Sequence, residues 1–257
     1  MGFRQLPFSK VGITRIAFVF GAFVLLEILC RSGIIDRVTM IPPTEMVLSL
    51  WQILVSGRFN NDIFFSIWNT CIAVSIAIVG GFLLGALLHA LPRARRAVEP
   101  LLSAYYAVPI FVFYPLFIVA FGVGRASLIA MGAVFGIVAM IVNTALGLDR
   151  VPVVITKTTR VLKLDPWTAL LRVRLPAAGP HLVTGVKLAV AYTVIAIVAG
   201  EFILATAGMG KRISFGYNDF DNPTMYGMLL LLLTMVMAVN GVLSAWERRL
   251  HRRFGQQ

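Results

Sequence analysis

Negative charge is what this chain has least of. Its 257 residues include 11 aspartates and glutamates against 23 lysines and arginines, and charged residues make up only 13% of the total. A soluble domain devotes about a quarter of its residues to charge, so a surface wetted all round is excluded. Cysteine is almost missing as well. Cys30 and Cys71 lie in or beside apolar stretches, which excludes a disulfide framework or a zinc site. The three histidines, His89, His181 and His251, fall at the edges of apolar stretches, with no paired carboxylate or metal-ligand spacing. No catalytic constellation is left. Gly208-Met209-Gly210-Lys211-Arg212 faintly resembles a phosphate loop, but an earlier glycine is missing and Arg212 stands where a hydroxyl residue belongs. The chain itself is therefore expected to bind no nucleotide, cofactor or metal.

Apolar residues fill the gap: 59% of the chain is hydrophobic and the mean hydropathy is +0.88. Crossing a hydrocarbon core of roughly 30 Å takes about 20 helical residues. Six stretches qualify: Thr14–Cys30, Ile67–Leu91, Leu101–Val123, Leu128–Leu148, Leu182–Leu204 and Met225–Trp246. No water at the bilayer centre can satisfy a bare backbone, so each is expected to be helical. The fold class is all-α polytopic membrane protein, one transmembrane domain over residues 1–257 with a basic loop at 150–180. With the N-terminus inside, inner segments hold sixteen lysines and arginines, outer segments six, and Lys187 lies within the fifth span. That bias puts both termini and the basic loop in the cytoplasm. The cations lie at the ends of apolar runs rather than on an aromatic-interleaved face, so their partner is the lipid bilayer and not nucleic acid.

Local signals refine this outline. Thr44 is expected to cap a short helix lying along the outer surface, with Trp51 at headgroup level. Gly81 and Gly85, and Gly132 and Gly136, have the spacing that lets helix backbones approach. Pro109 and Pro115 in the third span remove backbone donors and kink it, either beside a pathway or simply to improve packing. In the basic loop, Asp165 is a good N-cap and Pro166 suits the first helical position. A helix is expected to run from there to Leu175, where Pro176 should end it. Trp167, Leu170 and Leu171 would share a face, with Arg172 and Arg174 at the end favoured by the helix dipole. Ionisable groups at membrane depth invite a functional reading. Glu201 either lines a path or is a hydrogen-bonded structural acid. Glu27 sits nearer the boundary, and Lys187 can snorkel to the inner water.

Several motifs in order resemble one family. They are Ile41-Pro42-Pro43-Thr44-Glu45, the stretch from Pro109 through Pro115-Leu116-Phe117-Ile118-Val119-Ala120-Phe121-Gly122-Val123-Gly124, then Arg172-Val173-Arg174-Leu175-Pro176-Ala177-Ala178-Gly179-Pro180, and Glu247-Arg248-Arg249-Leu250. Together they resemble ABC importer permeases of the nitrate, sulfonate, taurine and bicarbonate group over nearly the whole chain. The resemblance implies a type I importer fold and a translocation path for a small anionic or polar solute. It implies a second permease copy, expected to be identical, and two cytoplasmic ATPases that bind ATP and Mg. A soluble binding protein outside would deliver the solute. The third and fifth spans would hold the path; Tyr105, Tyr106 and Pro109 on the third and Tyr192 and Glu201 on the fifth are its candidates, with Asn143, a polar tip on the fourth span.

The same resemblance makes the basic loop the element that couples to the ATPase, through Lys157, Lys163, Leu164, Asp165, Pro166, Trp167, Leu170, Leu171, Arg172 and Arg174. Its front half departs from the family pattern. Lys157-Thr158-Thr159 stands where Glu-Ala-Ala is usual, and Lys163 stands where a glycine is usual, which fits a partner with an acidic surface. Two other classes compete. A proton-coupled secondary transporter would use Glu201 as a relay but needs more spans in inverted halves. An intramembrane hydrolase would need a serine or histidine dyad at depth. An ATP-driven importer permease of the inner membrane fits best.

Overall fold

The structure is a computed structural model and describes residues 10–105, 109–165 and 168–254. Ten α-helices follow in chain order among the described residues: α1 (Lys10–Arg31), α2 (Pro43–Ser56), α3 (Asn60–Ala90), α4 (Pro92–Tyr105), α5 (Tyr114–Phe121), α6 (Arg125–Asp149), α7 (Val153–Val161), α8 (Leu175–Leu204), α9 (Met209–Asn218) and α10 (Asn222–Phe254). A 3₁₀ turn at Ile110–Phe113 precedes α5 and a π-helical turn at Ala169–Arg174 precedes α8. Among the described residues, four helices are long and apolar enough to cross a membrane: Asn60–Ala90, Arg125–Asp149, Ala169–Ile203 and Asn222–Arg248. The first apolar stretch is also helical, as α1. The third is broken into α4, the 3₁₀ turn and α5, with Pro109 outside any helix and Pro115 in the first turn of α5, where its missing N–H costs no helical bond.

The chain divides into two compact units. The first comprises Met1–Asn60 with Arg212–Leu232. Here the expected Thr44 cap is replaced by a different arrangement: α2 begins at Pro43 and its N-cap position, Pro42, offers no side-chain bond. Thr44 instead donates its hydroxyl to Glu27 Oε1 (2.7 Å) and its N–H to Glu27 Oε2 (3.1 Å). A carboxylate from the preceding helix thus satisfies the exposed N–H at the start of α2, where the dipole favours negative charge. Arg31 closes the group with a 2.6 Å bond to Glu27. Asn222 at the start of α10 donates to the carbonyls of Arg37 and Val38, and the Tyr226 hydroxyl donates to that of Thr39.

The second unit, Asn61–Lys211 with Leu233–Gln257, is centred on α6. In the most apolar part of α6, 61% of residues are buried inside the chain, against 6% for α10. Glycines set that centre. An added Cβ at Gly81 would lie 2.5 Å from Met140 Cβ, and one at Gly85 2.7 Å from the Ile141 carbonyl oxygen, so α3 and α6 touch through bare backbone. Gly136 does the same between α6 and α8, where an added Cβ would lie 2.9 Å from the Ala189 carbonyl oxygen, while Gly132 makes room for the Ile197 side chain and its carbonyl accepts from the Thr193 hydroxyl at 3.1 Å.

Lys187 does not snorkel alone. Its Nζ lies 2.7 Å from Glu247, tying α8 to α10 with both side chains half-buried. Lys187→Ala is expected to cost about 1–2 kcal/mol, because it leaves Glu247 short of its cation. Adding Glu247→Ala should restore most of that loss in a thermal-unfolding series; an undiminished loss would mean that the lysine stem, and not the pair, stabilises the contact.

Candidate functional site

The 149–175 segment is assembled from both ends. At its start Asp149 accepts a 2.7 Å bond from His89 and a close one from Arg95, which joins the ends of α3, α4 and α6. The carboxylate bond raises the Arg95 guanidinium above its usual pKa, so it stays charged. The sequence reading of His89 as lacking a carboxylate is therefore corrected. Its partner lies 60 positions away, beyond the reach of spacing arguments.

Helix α7 was not expected, and its nine residues are amphipathic. Ile155 packs with Leu148, Val151, Ala178 and Leu170, and Thr159 is buried. Val153, Val154, Lys157, Thr158 and Val161 are exposed, with Val161 80% exposed. The helix stops in a Schellman turn: the Leu164 N–H donates to the Thr159 carbonyl at 3.1 Å, around Lys163 at φ 48°. Glycine is the residue that this left-handed position favours. Lys163 holds it with an exposed side chain.

Asp165 caps the next turn, its Oδ2 accepting from the Thr168 N–H at 2.9 Å. The expected end at Leu175 is overturned, however, because the chain passes through the π turn straight into α8. Pro176 has no N–H and its ring would crowd the Arg172 carbonyl in a regular helix. The wider turn, with Leu175 N–H donating to the Leu170 carbonyl, removes the conflict. Leu170 also leaves the expected face: it packs inward while Leu171 is 57% exposed beside exposed Arg172. Arg174 is half-buried and Leu164 partly so. Pro166 and Trp167 lie outside the described residues.

The path candidates divide. Tyr105 donates to the Val134 carbonyl at 3.0 Å and its ring meets Phe135 at 5.4 Å, while Tyr192 meets the same Phe135 edge-on at 5.6 Å. Phe135 thus joins two residues singled out from the sequence, although it was not itself singled out. Asn143 donates to its own helix at Ala139, and Pro109 is exposed. Tyr106 lies outside the described residues.

Glu201 is fully buried. Its Oε2 accepts from the Ser66 hydroxyl (2.6 Å) and the Gly210 N–H (3.0 Å), while Met209 N–H donates to Ser66 Oγ and Gly208 N–H to Asp62. The first N–H groups of α9 are therefore satisfied by side chains of α3 and α8. The glycine turn that faintly resembles a phosphate loop does hold an acid, the chain's own Glu201 carboxyl group. Asp62 and Ser66 were missed; an acid and a hydroxyl four residues apart at the head of an apolar run were the only available signal.

Residues 77–256, more than half of the chain, match the family described as binding-protein-dependent transport system inner membrane component. The chain belongs to this family. It is 28% identical over 189 residues to the nitrate import permease protein NrtB of Leptolyngbya laminosa, covering 70% of this chain and 68% of that one. It is 27% identical over 218 residues to the riboflavin transport system permease protein RibX of Chloroflexus aurantiacus, covering 82% and 78%. Its fold matches inward-facing conformations of the MetNI methionine ABC transporter, with a TM-score of 0.67 at 18% identity over 76% of this chain and 97% of that one. A second crystal form gives a TM-score of 0.65 at 19% identity, over 74% and 94%. The chain is a permease subunit of an ABC importer with the type I fold, a multi-pass inner-membrane protein, and the proton-coupled alternative is set aside.

Proposed function

We propose that this permease and a second, identical copy form a path for a small anionic or polar solute, powered by two cytoplasmic ATPases that bind ATP and Mg. An external binding protein delivers the solute and carries most of the selectivity. Nitrate and riboflavin relatives match this chain at 28% and 27% identity, and so favour neither solute over the other. Both termini and the 150–180 segment face the cytoplasm, on the strength of sixteen inner cations against six outer ones. The observation that carries the reading is the continuity of the segment with a membrane-crossing helix. The π turn capped by Asp165 runs into α8 without a break, so a push on exposed Leu171 is delivered directly to α8, and α7 with exposed Val154, Lys157 and Val161 packs beside it through Ile155. Tyr105, Asn143 and Tyr192 remain the proposed path residues.

Co-purification with the ATPase tests the coupling face. The pair Lys157→Glu and Lys163→Glu is expected to reduce ATPase recovery at least severalfold through like-charge repulsion; unchanged recovery would sink the acidic-partner reading. Lys163→Gly separates side chain from backbone. It should stabilise the turn by about 1 kcal/mol, since glycine fits a positive φ, yet still weaken ATPase recovery.

A further inference from the structure

Among the described residues, two that are not glycine hold a positive φ: Lys163 at 48° and Phe220 at 55°. Each follows the end of a short helix, α7 or α9. One precedes α8 and the other follows it in the chain, and the lysine and arginine bias that puts the 150–180 segment inside puts the stretch after α8 outside. Lys163 belongs to the coupling segment, and Phe220 is its counterpart on the other side. A bulky aromatic is a rare occupant of this conformation, which points to use of the side chain itself.

That side chain is not used within the chain's interior. Phe220 is 72% exposed, and Tyr217, three residues earlier, is 64% exposed. The turn is nevertheless held firmly. Asp219 N–H donates to the Phe215 carbonyl at 2.9 Å on one side, and Asp221 accepts from Thr224 and Met225 N–H groups on the other. An aromatic pair on a braced turn is the kind of anchor that protein interfaces enrich and that loses little freedom on binding. Asp219 and Asp221 are exposed beside it, and no lysine or arginine occurs from Ile213 to Asn222 in a chain of net charge +12.

We propose that the 217–221 turn docks the external binding protein, with Phe220 seated in an apolar pocket whose rim carries lysine or arginine. The assignment rests on the reading that the coupling segment is cytoplasmic. The test uses the permease–ATPase complex in lipid nanodiscs, titrated with its binding protein while ATP hydrolysis is followed. Phe220→Gly is expected to leave complex yield, unstimulated hydrolysis and thermal stability undiminished, because glycine suits the backbone. It should raise the binding-protein concentration for half-stimulation about tenfold or more. Asp219→Lys should raise it severalfold, with the greater effect at low salt, and Phe220→Leu should keep most of the response. An unchanged half-stimulation point overturns the proposal. Separation of permease pairs on Phe220→Gly would assign the turn to the second copy, and lost thermal stability would assign it to internal packing; either result also overturns it. If the unaltered chain fails to recover an ATPase at all, the permease reading fails and not the docking assignment.

Discussion

Replacing Gly136 with alanine is expected to destabilise the protein by roughly 3 kcal/mol, a fall in melting temperature of about 6–12 °C. The added methyl would lie 2.2 Å from Thr193 Oγ1, 2.9 Å from the Ala189 carbonyl oxygen and 2.9 Å from Ala77 Cβ. None of these is the loose end of a flexible side chain. One is backbone, one is the stub of an alanine, and the threonine is β-branched and bonded to the Gly132 carbonyl. Relief requires α3 and α8 to move off α6, and with them the contacts at Gly132 and Gly81. Gly241 on α10 is the control, since an added Cβ there meets nothing within 4 Å. Gly241→Ala should be neutral or stabilising by up to about 1 kcal/mol. Thermal unfolding of the purified protein checks both, and equal effects at the two sites would refute the close-packing account.

The glycine spacing was legible from the sequence because it is local: four residues on one helix put two bare positions on one face. Apolar length was legible for the same reason, as was the Asp165 cap. What misled was a rule with a local exception. The residue before proline usually leaves the helical region, but Leu175 keeps φ −64° and ψ −47° because the π turn moves the crowded carbonyl aside. Helix α7 escaped notice because nine residues hold too few turns for its periodicity to stand out, and three of its five polar positions are threonines, which favour helices weakly. The Asp149 group and the Glu201 group were invisible for a third reason. Their partners are 60 and 135 positions apart, and only the packing of α3 against α6 and α8 brings them together.

Glu201 provides the second large effect. Glu201→Ala removes the acceptor for the Ser66 hydroxyl and the Gly210 N–H in a fully buried site, and leaving two donors unsatisfied is expected to cost roughly 2–5 kcal/mol. The loss should extend to the start of α9, since Ser66 also holds the Met209 N–H. Glu201→Gln should be far milder. Its amide oxygen can occupy the Oε2 position and keep both bonds, and the NH₂ group takes the place of Oε1, which makes no hydrogen bond among the described residues. Ser66→Ala in the Glu201→Ala background should add little, because the two side chains act as one unit and their losses overlap. A double-mutant cycle by thermal unfolding measures this overlap. If the two losses simply add, or if glutamine is as damaging as alanine, then negative charge or side-chain volume, and not the shared hydrogen bonds, is what Glu201 contributes where α3, α8 and α9 meet.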